Sequence, residues 1–163
     1  MRTTPTPIIE DHDRLREWVS AEKSAGKTVI FANGGFDLFH VGHVRYLHGA
    51  AAEGDVLVVA VNSDASIRHN KGPDRPHVPL AERMEIVAAL RCVDVVTSFE
   101  SPTVAELIEL LRPHAHAKGT DWNMETLPER ETLKRLGIPL AIVGDPKNHS
   151  TTDMGQRLRS KGT

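Results

Sequence analysis

The stretch "TVIFANGGFDLFHVGHVRYL", Thr28 to Leu47, decides the fold. Thr28 to Asn33 is a short run of branched and apolar residues bounded by glycines, which reads as a β-strand. Gly34, Gly35, Phe36 and Asp37 follow it. From about His40 or Val41 the apolar spacing changes from that of a strand to that of a helix. Strand, glycine turn and helix in this order form the opening half of a β-α-β unit.

The same change of period recurs along the chain. Runs suited to strands occur at residues 55–62 ("DVLVVAVN"), 93–99 ("VDVVTSF"), 114–119 ("HAHAKG", the weakest) and 139–144 ("PLAIVG"). Helical patterns lie between them in "VGHVRYLHGAAAEG", "PLAERMEIVAALR", "TVAELIELLR" and "LPERETLKRLG". Thr103 is the expected N-cap of the third, and Gly54 and Gly137 are the expected stops. Leu15, Trp18 and Val19 sit at helical spacing ahead of the first strand. Residues 1–27 therefore read as a helical segment packed on a core formed by residues 28–163, all within one domain. Residues 148–163 read as a loop and a short closing helix. Strict alternation predicts an α/β fold: a Rossmann-like, doubly wound sheet of five mainly parallel strands flanked by helices. Ligands of such sheets bind beyond the carboxyl ends of the strands.

Composition narrows the function. The chain has 163 residues, is 39% hydrophobic and carries a formal net charge of -2. No block of Lys or Arg is long enough to follow a nucleic-acid backbone, so nucleic acid is not an expected partner. No apolar run approaches a membrane span, and the first residues lack a signal-peptide layout, so no membrane partner is expected and the setting is expected to be cytoplasmic. Cys92 is the single cysteine, which excludes an internal disulfide and a multi-cysteine zinc site. Its apolar neighbours mark it as a packing residue.

Motifs bearing chemistry fall at the expected ligand edge. "AEKSAGKT", Ala21 to Thr28, imitates a Walker A loop, but it ends a helix and enters a strand, the reverse of what phosphate binding requires. The opening stretch has the productive order. Its glycines let backbone approach a phosphate, and His40 and His43 share one face of the first helical turn at the positive helix end. Simple capping and a metal site built from Asp37, His40 and His43 are the rival readings; the latter lacks an obvious further ligand. A second cluster follows the second strand and holds Asp64, Arg68, Lys71, Arg75 and Arg83. It reads as a charged loop from which Lys71 can swing onto a triphosphate, with Arg83 fixed on the next helix. A third comprises "KGTDW", Lys118 to Trp122, and "HSTT", His149 to Thr152. Here a carboxylate and an indole suit a sugar or base, while the hydroxyls suit a helix start.

Together, "GGFDLFHVGH", "NSDASIRHNKGPDRP", "LAERMEIVAALRCVDVV", "KGTDW" and "HSTT" resemble the nucleotidyltransferases that carry the H-x-G-H signature. Within that family they are most similar to the branch that activates D-glycero-β-D-manno-heptose 1-phosphate as an ADP-sugar. The resemblance runs from about Thr28 to about Leu158. Because "KGPDRP" belongs to the heptose branch, glycerol-3-phosphate cytidylyltransferase is the more distant alternative. A sugar-kinase domain is often fused to the branch; these 163 residues do not contain one, and a stand-alone transferase is the expectation. A non-catalytic nucleotide sensor is the alternative of another class.

The resemblance implies that His40 and His43 contact the nucleotide phosphates and act in catalysis with Lys71. It implies a nucleotide site formed by Asn33, Gly34, Gly35, Phe36, Gly42, Arg83, Lys118, Gly119, Asp121, His149, Ser150, Thr151 and Thr152, and an acceptor region near Asp37, Asp64 and Trp122. Expected ligands are ATP or CTP with Mg²⁺, and a phosphorylated small-molecule acceptor; no metal site built by the protein itself is expected. A homodimer is the expected assembly. Two positions depart from the branch pattern: His149 replaces a usual arginine, and Gly35 stands where a side chain is usual.

Overall fold

The computed structural model describes residues 5–146. In chain order these form α1 (His12–Ser24), β1 (Val29–Gly34), α2 (Val41–Ala51), β2 (Val56–Asn62), α3 (Asp64–Lys71), α4 (Leu80–Ala88), β3 (Val95–Phe99), α5 (Ala105–Leu111), β4 (Ala115–Gly119), α6 (Arg130–Leu136) and β5 (Leu140–Val143). The strands make one sheet in the order β3-β2-β1-β4-β5. All four pairings are parallel. The chain winds outward from β1 to one side, then returns to place β4 against β1 on the other. The switch point therefore lies between β1 and β4, where side chains at the strand ends diverge and leave a crevice.

Alternation within each strand produces two cores. Val29 and Phe31 of β1 face α1, α5 and α6, joining Leu15, Val19, Leu107, Ile108 and Leu133. Ile30 and Ala32 face the other way, joining Leu47 and Ala50 of α2 with Met84 and Val87 of α4. Burial on both faces explains why these strands read as continuous apolar runs. "HAHAKG" is the exception, and its burial has a specific cause. His116 stacks edge-on to Phe31 at 5.5 Å and forms a hydrogen bond with Asn33, so a polar side chain is accommodated inside.

Three local expectations change. The first part of the second cluster, with Asp64, Arg68 and Lys71, is a helix, α3: the Ser63 hydroxyl accepts the Ser66 N–H at 3.1 Å, and Ile67 anchors the turn in the core. Its many polar residues disguised it as a loop. α5 begins at Ala105, with Val104 at its cap position; the Thr103 hydroxyl accepts the Ala105 N–H at a long 3.4 Å. Gly54 lies beyond the end of α2 rather than stopping it. A Cβ there would fall 2.7 Å from Ile30 Cγ1 and 2.8 Å from the Thr28 carbonyl, so close approach to β1 requires glycine. Gly137 does stop α6, in the left-handed conformation at φ 66°. Segment 7–9, not foreseen as strand-like, pairs with β3: the Ile9 N–H donates to the Val96 carbonyl, and the Val96 N–H to the Pro7 carbonyl. The expected closing helix and the "HSTT" residues lie outside the described residues.

Because two fixed neighbours crowd the Gly54 position, Gly54→Ala should lower unfolding free energy by about 1–3 kcal/mol, the usual cost of overpacking. Urea denaturation should show an earlier midpoint at unchanged slope.

Candidate active site

The site begins where β1 stops. Phe36 and Leu38 take left-handed φ values of 51° and 46°, unusual for side chains of their size. Packing holds Phe36 there: its ring meets His43 at 5.4 Å and Tyr46 at 6.4 Å, and it is almost fully buried. Gly34 makes room beneath, since a Cβ would come within 3.1 Å of that ring.

The loop delivers His40 to the N-cap of α2. His40 Nδ1 accepts the Gly42 N–H at 3.1 Å, and His43 Nδ1 accepts the His40 N–H at 3.3 Å. This reciprocal cap satisfies helix-end donors and stacks the two rings, with centroids 3.9 Å apart. A neutral imidazole that accepts through Nδ1 carries its proton on Nε2. The cap thus sets both rings in the tautomer that donates from the outer nitrogen. Capping, one of the readings the sequence offered, uses Nδ1 of each ring.

A second wall comes from β4. Lys118 is 6% exposed, donates to Asn33 Oδ1 at 3.1 Å and lies 4.6 Å from the centre of the Trp122 ring. Burial lowers its pKa, against the charges of Glu129 and Asp121, which raise it. His116 Nε2 shares the same Asn33 oxygen at 3.1 Å, and burial together with the Lys118 charge brings its pKa down to about 3. It is therefore neutral under ordinary conditions and serves to orient Asn33.

Behind these walls lies a frame of buried ions. Arg83 is fully buried: its Nε donates to the Val78 carbonyl, Nη1 to the carbonyls of Gly35 and Asn62, and Nη2 to Asp64. Asp37, 2% exposed, accepts from Arg75 Nε and from the backbone N–H groups of His77 and Val78. Burial would raise the Asp37 pKa, but those two amides and the guanidinium hold the carboxyl below the usual carboxylate range.

A cavity of about 730 Å³ opens at this edge of the sheet. It brings together Asn33, Gly34, Gly35, Phe36, His40, Gly42, His43, Lys71, Lys118, Gly119, Asp121 and Trp122, as the sequence reading expected. Arg83, Asp37 and Asp64 do not line it. Their expected ligand contacts are revised to a structural role, because Arg83 is engaged by Asp64 and backbone carbonyls, and Asp37 by Arg75 and backbone amides. The metal reading loses Asp37 for the same reason, and among the described residues no three His, Cys, Asp or Glu side chains group as metal ligands. Gly35 lies on the cavity floor, where a Cβ would meet the flexible end of Ile67 at 3.3 Å. His149, Ser150, Thr151 and Thr152 lie outside the described residues.

Sequence reasoning missed Arg45, Tyr46, Asn62, Asn70 and Glu129, which also line the cavity. Arg45 follows His43 by two residues on α2, and that proximity was the available signal. Glu129 gave none: its buried carboxylate accepts the Val104 N–H at 3.2 Å, a contact between distant segments.

A crevice of about 730 Å³ and two imidazoles at a helix start thus lie at one edge of the sheet. The chain belongs to the cytidylyltransferase-like family, whose model matches residues 31–157. Similar curated relatives include the "Bifunctional protein HldE" of Syntrophotalea carbinolica, 44% identical over 150 residues, and that of Geotalea uraniireducens, 44% identical over 152. These alignments cover 92% and 93% of this chain but only 31% of either relative, so the chain spans about a third of their length. Among solved structures, a lipopolysaccharide core biosynthesis protein from Thermoplasma volcanium is similar, with TM-score 0.63 and 26% identity. That likeness covers 74% of this chain and all of the other. No helix of the described residues is long and apolar enough to cross a membrane.

The Asp37 anchor yields a signed prediction. A carboxyl with a depressed folded pKa stabilises the fold above its unfolded pKa, near about 4, and loses that contribution as pH falls through the folded value. Asp37→Asn should therefore cost about 3 kcal/mol at neutral pH, as for a broken buried pair. Urea titrations across acid pH should show a shallower decline in the variant than in the native chain.

Proposed function

We propose that the protein is a nucleotidyltransferase that condenses a nucleoside triphosphate with a sugar 1-phosphate, giving a nucleotide-sugar and pyrophosphate. ATP is preferred to CTP, and heptose 1-phosphate to glycerol 3-phosphate. "KGPDRP" and the similarity to the HldE proteins support those choices. The observation that carries the reaction class is the reciprocal His40–His43 cap, which fixes two donors on one side of the crevice.

An oxygen of the acceptor phosphate attacks the α-phosphorus in line as the bond to pyrophosphate breaks. The acceptor is already anionic, so no strong general base is needed. Catalysis rests on alignment and on stabilising charge that spreads onto phosphoryl oxygens. His40 and His43 donate from Nε2 to those oxygens, and Lys71 and Lys118 neutralise the nucleotide from opposite walls. Mg²⁺ would be carried by the triphosphate and water rather than by a protein cage. When bound there, it would neutralise phosphate charge. We place the reaction in the cytoplasm and in a homodimer, with exposed Val41 and Ile142 as apolar surface for a second copy.

Asparagine separates capping from catalysis, because its side-chain oxygen can replace Nδ1 as acceptor while nothing replaces Nε2. His40→Asn and His43→Asn should each keep the native unfolding midpoint within experimental error yet lower pyrophosphate release about a hundredfold or more. Near-native turnover in both would reduce the histidines to caps. ATP binding without pyrophosphate release, across a panel of phosphorylated acceptors, would favour a nucleotide sensor instead.

A further inference from the structure

Committing Arg83 to the frame removes one cation from the expected triphosphate site and leaves a question of charge. A nucleoside triphosphate brings about four negative charges, and strong sites meet them with cations able to make directed hydrogen bonds. Among the described residues, Arg45 is the arginine that lines the cavity, and it lies on α2, the helix that carries His43 and is capped by His40. Its Nη1 donates to Asp145 Oδ2 at 2.6 Å, joining α2 to the segment that leaves β5. Both side chains are about half exposed.

An exposed ion pair of this kind contributes little to stability, because water screens the attraction and two long side chains lose freedom. Phosphate offers the same guanidinium denser negative charge and two acceptor oxygens in matching geometry. The Asp145 backbone has its own tie, since its carbonyl accepts from the Thr120 hydroxyl at 2.9 Å. Loss of the carboxylate contact would not by itself release the segment.

We propose that Arg45 exchanges Asp145 for the phosphates of a bound nucleoside triphosphate, so that the pair is an anion-operated catch on the cavity wall. Asp145 then competes with the ligand for Arg45 and sets the affinity. This rests on the nucleotide-binding reading above, and it makes Arg45 a substrate-binding residue whose effect Asp145 opposes.

The two members of the catch must act with opposite signs. ATP affinity is measured by isothermal titration calorimetry with Mg²⁺ present, on the full chain and its variants. Arg45→Ala should weaken binding about tenfold, a loss of about 1.4 kcal/mol. Asp145→Asn should tighten it about threefold at low salt, with the gain fading at high salt as charges are screened. In the Arg45→Ala background, Asp145→Asn should add nothing. Thermal melts of each variant without nucleotide exclude misfolding as the cause. If the native chain binds ATP but Asp145→Asn binds it equally or more weakly, or Arg45→Ala binds it normally, the catch is wrong and the transferase reading stands. If the native chain binds neither ATP nor CTP, the transferase reading itself fails.

Discussion

The ligand edge of this protein depends on a guanidinium that never meets solvent. Arg83 ties the carbonyls of Gly35, Asn62 and Val78 to one another and to Asp64. These groups belong to the turn after β1, the end of β2, the loop before α4 and the start of α3, which meet at this edge of the sheet. A buried charge is tolerated only when its donors are satisfied, so each segment is held where the guanidinium needs it. Lysine could not take this place, since it lacks the planar fork that reaches several carbonyls at once. Asp37 extends the frame by gripping Arg75 and the amides of His77 and Val78.

On that frame the histidines become precise. The glycine turn lets β1 end beneath Phe36, the Phe36 ring supports His43, and His43 in turn caps the backbone of His40. Local strain at Phe36 and Leu38 persists because packing and hydrogen bonds over-determine the loop. Once Nδ1 of each ring serves the helix, Nε2 is the nitrogen able to donate to an anion, and the macrodipole of α2 favours that anion further.

Much of this was legible in the sequence, for identifiable reasons. The five strands and most helices could be read because period changes survive in "VIFAN", "VLVVAV" and "ELIELL", where burial on one or both faces forces the pattern. The H-x-G-H stretch was legible because its order of strand, glycine and helix has few structural solutions. α3 was not, because a helix of eight residues with one firm apolar anchor, Ile67, looks like a charged loop. Arg83, Asp37 and Asp64 were assigned to ligands because sequence records a charge but not its partner. Their true partners come from residues up to 48 positions away. Arg45 and Glu129 were missed for the same reason, since their contacts with Asp145 and Val104 arise only when the sheet assembles.

The central claim is that the helix cap presets two imidazoles as Nε2 donors for phosphate. Long-range ¹⁵N NMR of the histidine rings reads this directly. His40 and His43 should both appear as the neutral Nε2–H form, and their Nε2 resonances should move when a non-hydrolysable ATP analogue is added with Mg²⁺, while buried His116 stays still. Rings found in the Nδ1–H form, or Nε2 resonances indifferent to the nucleotide, would contradict the account.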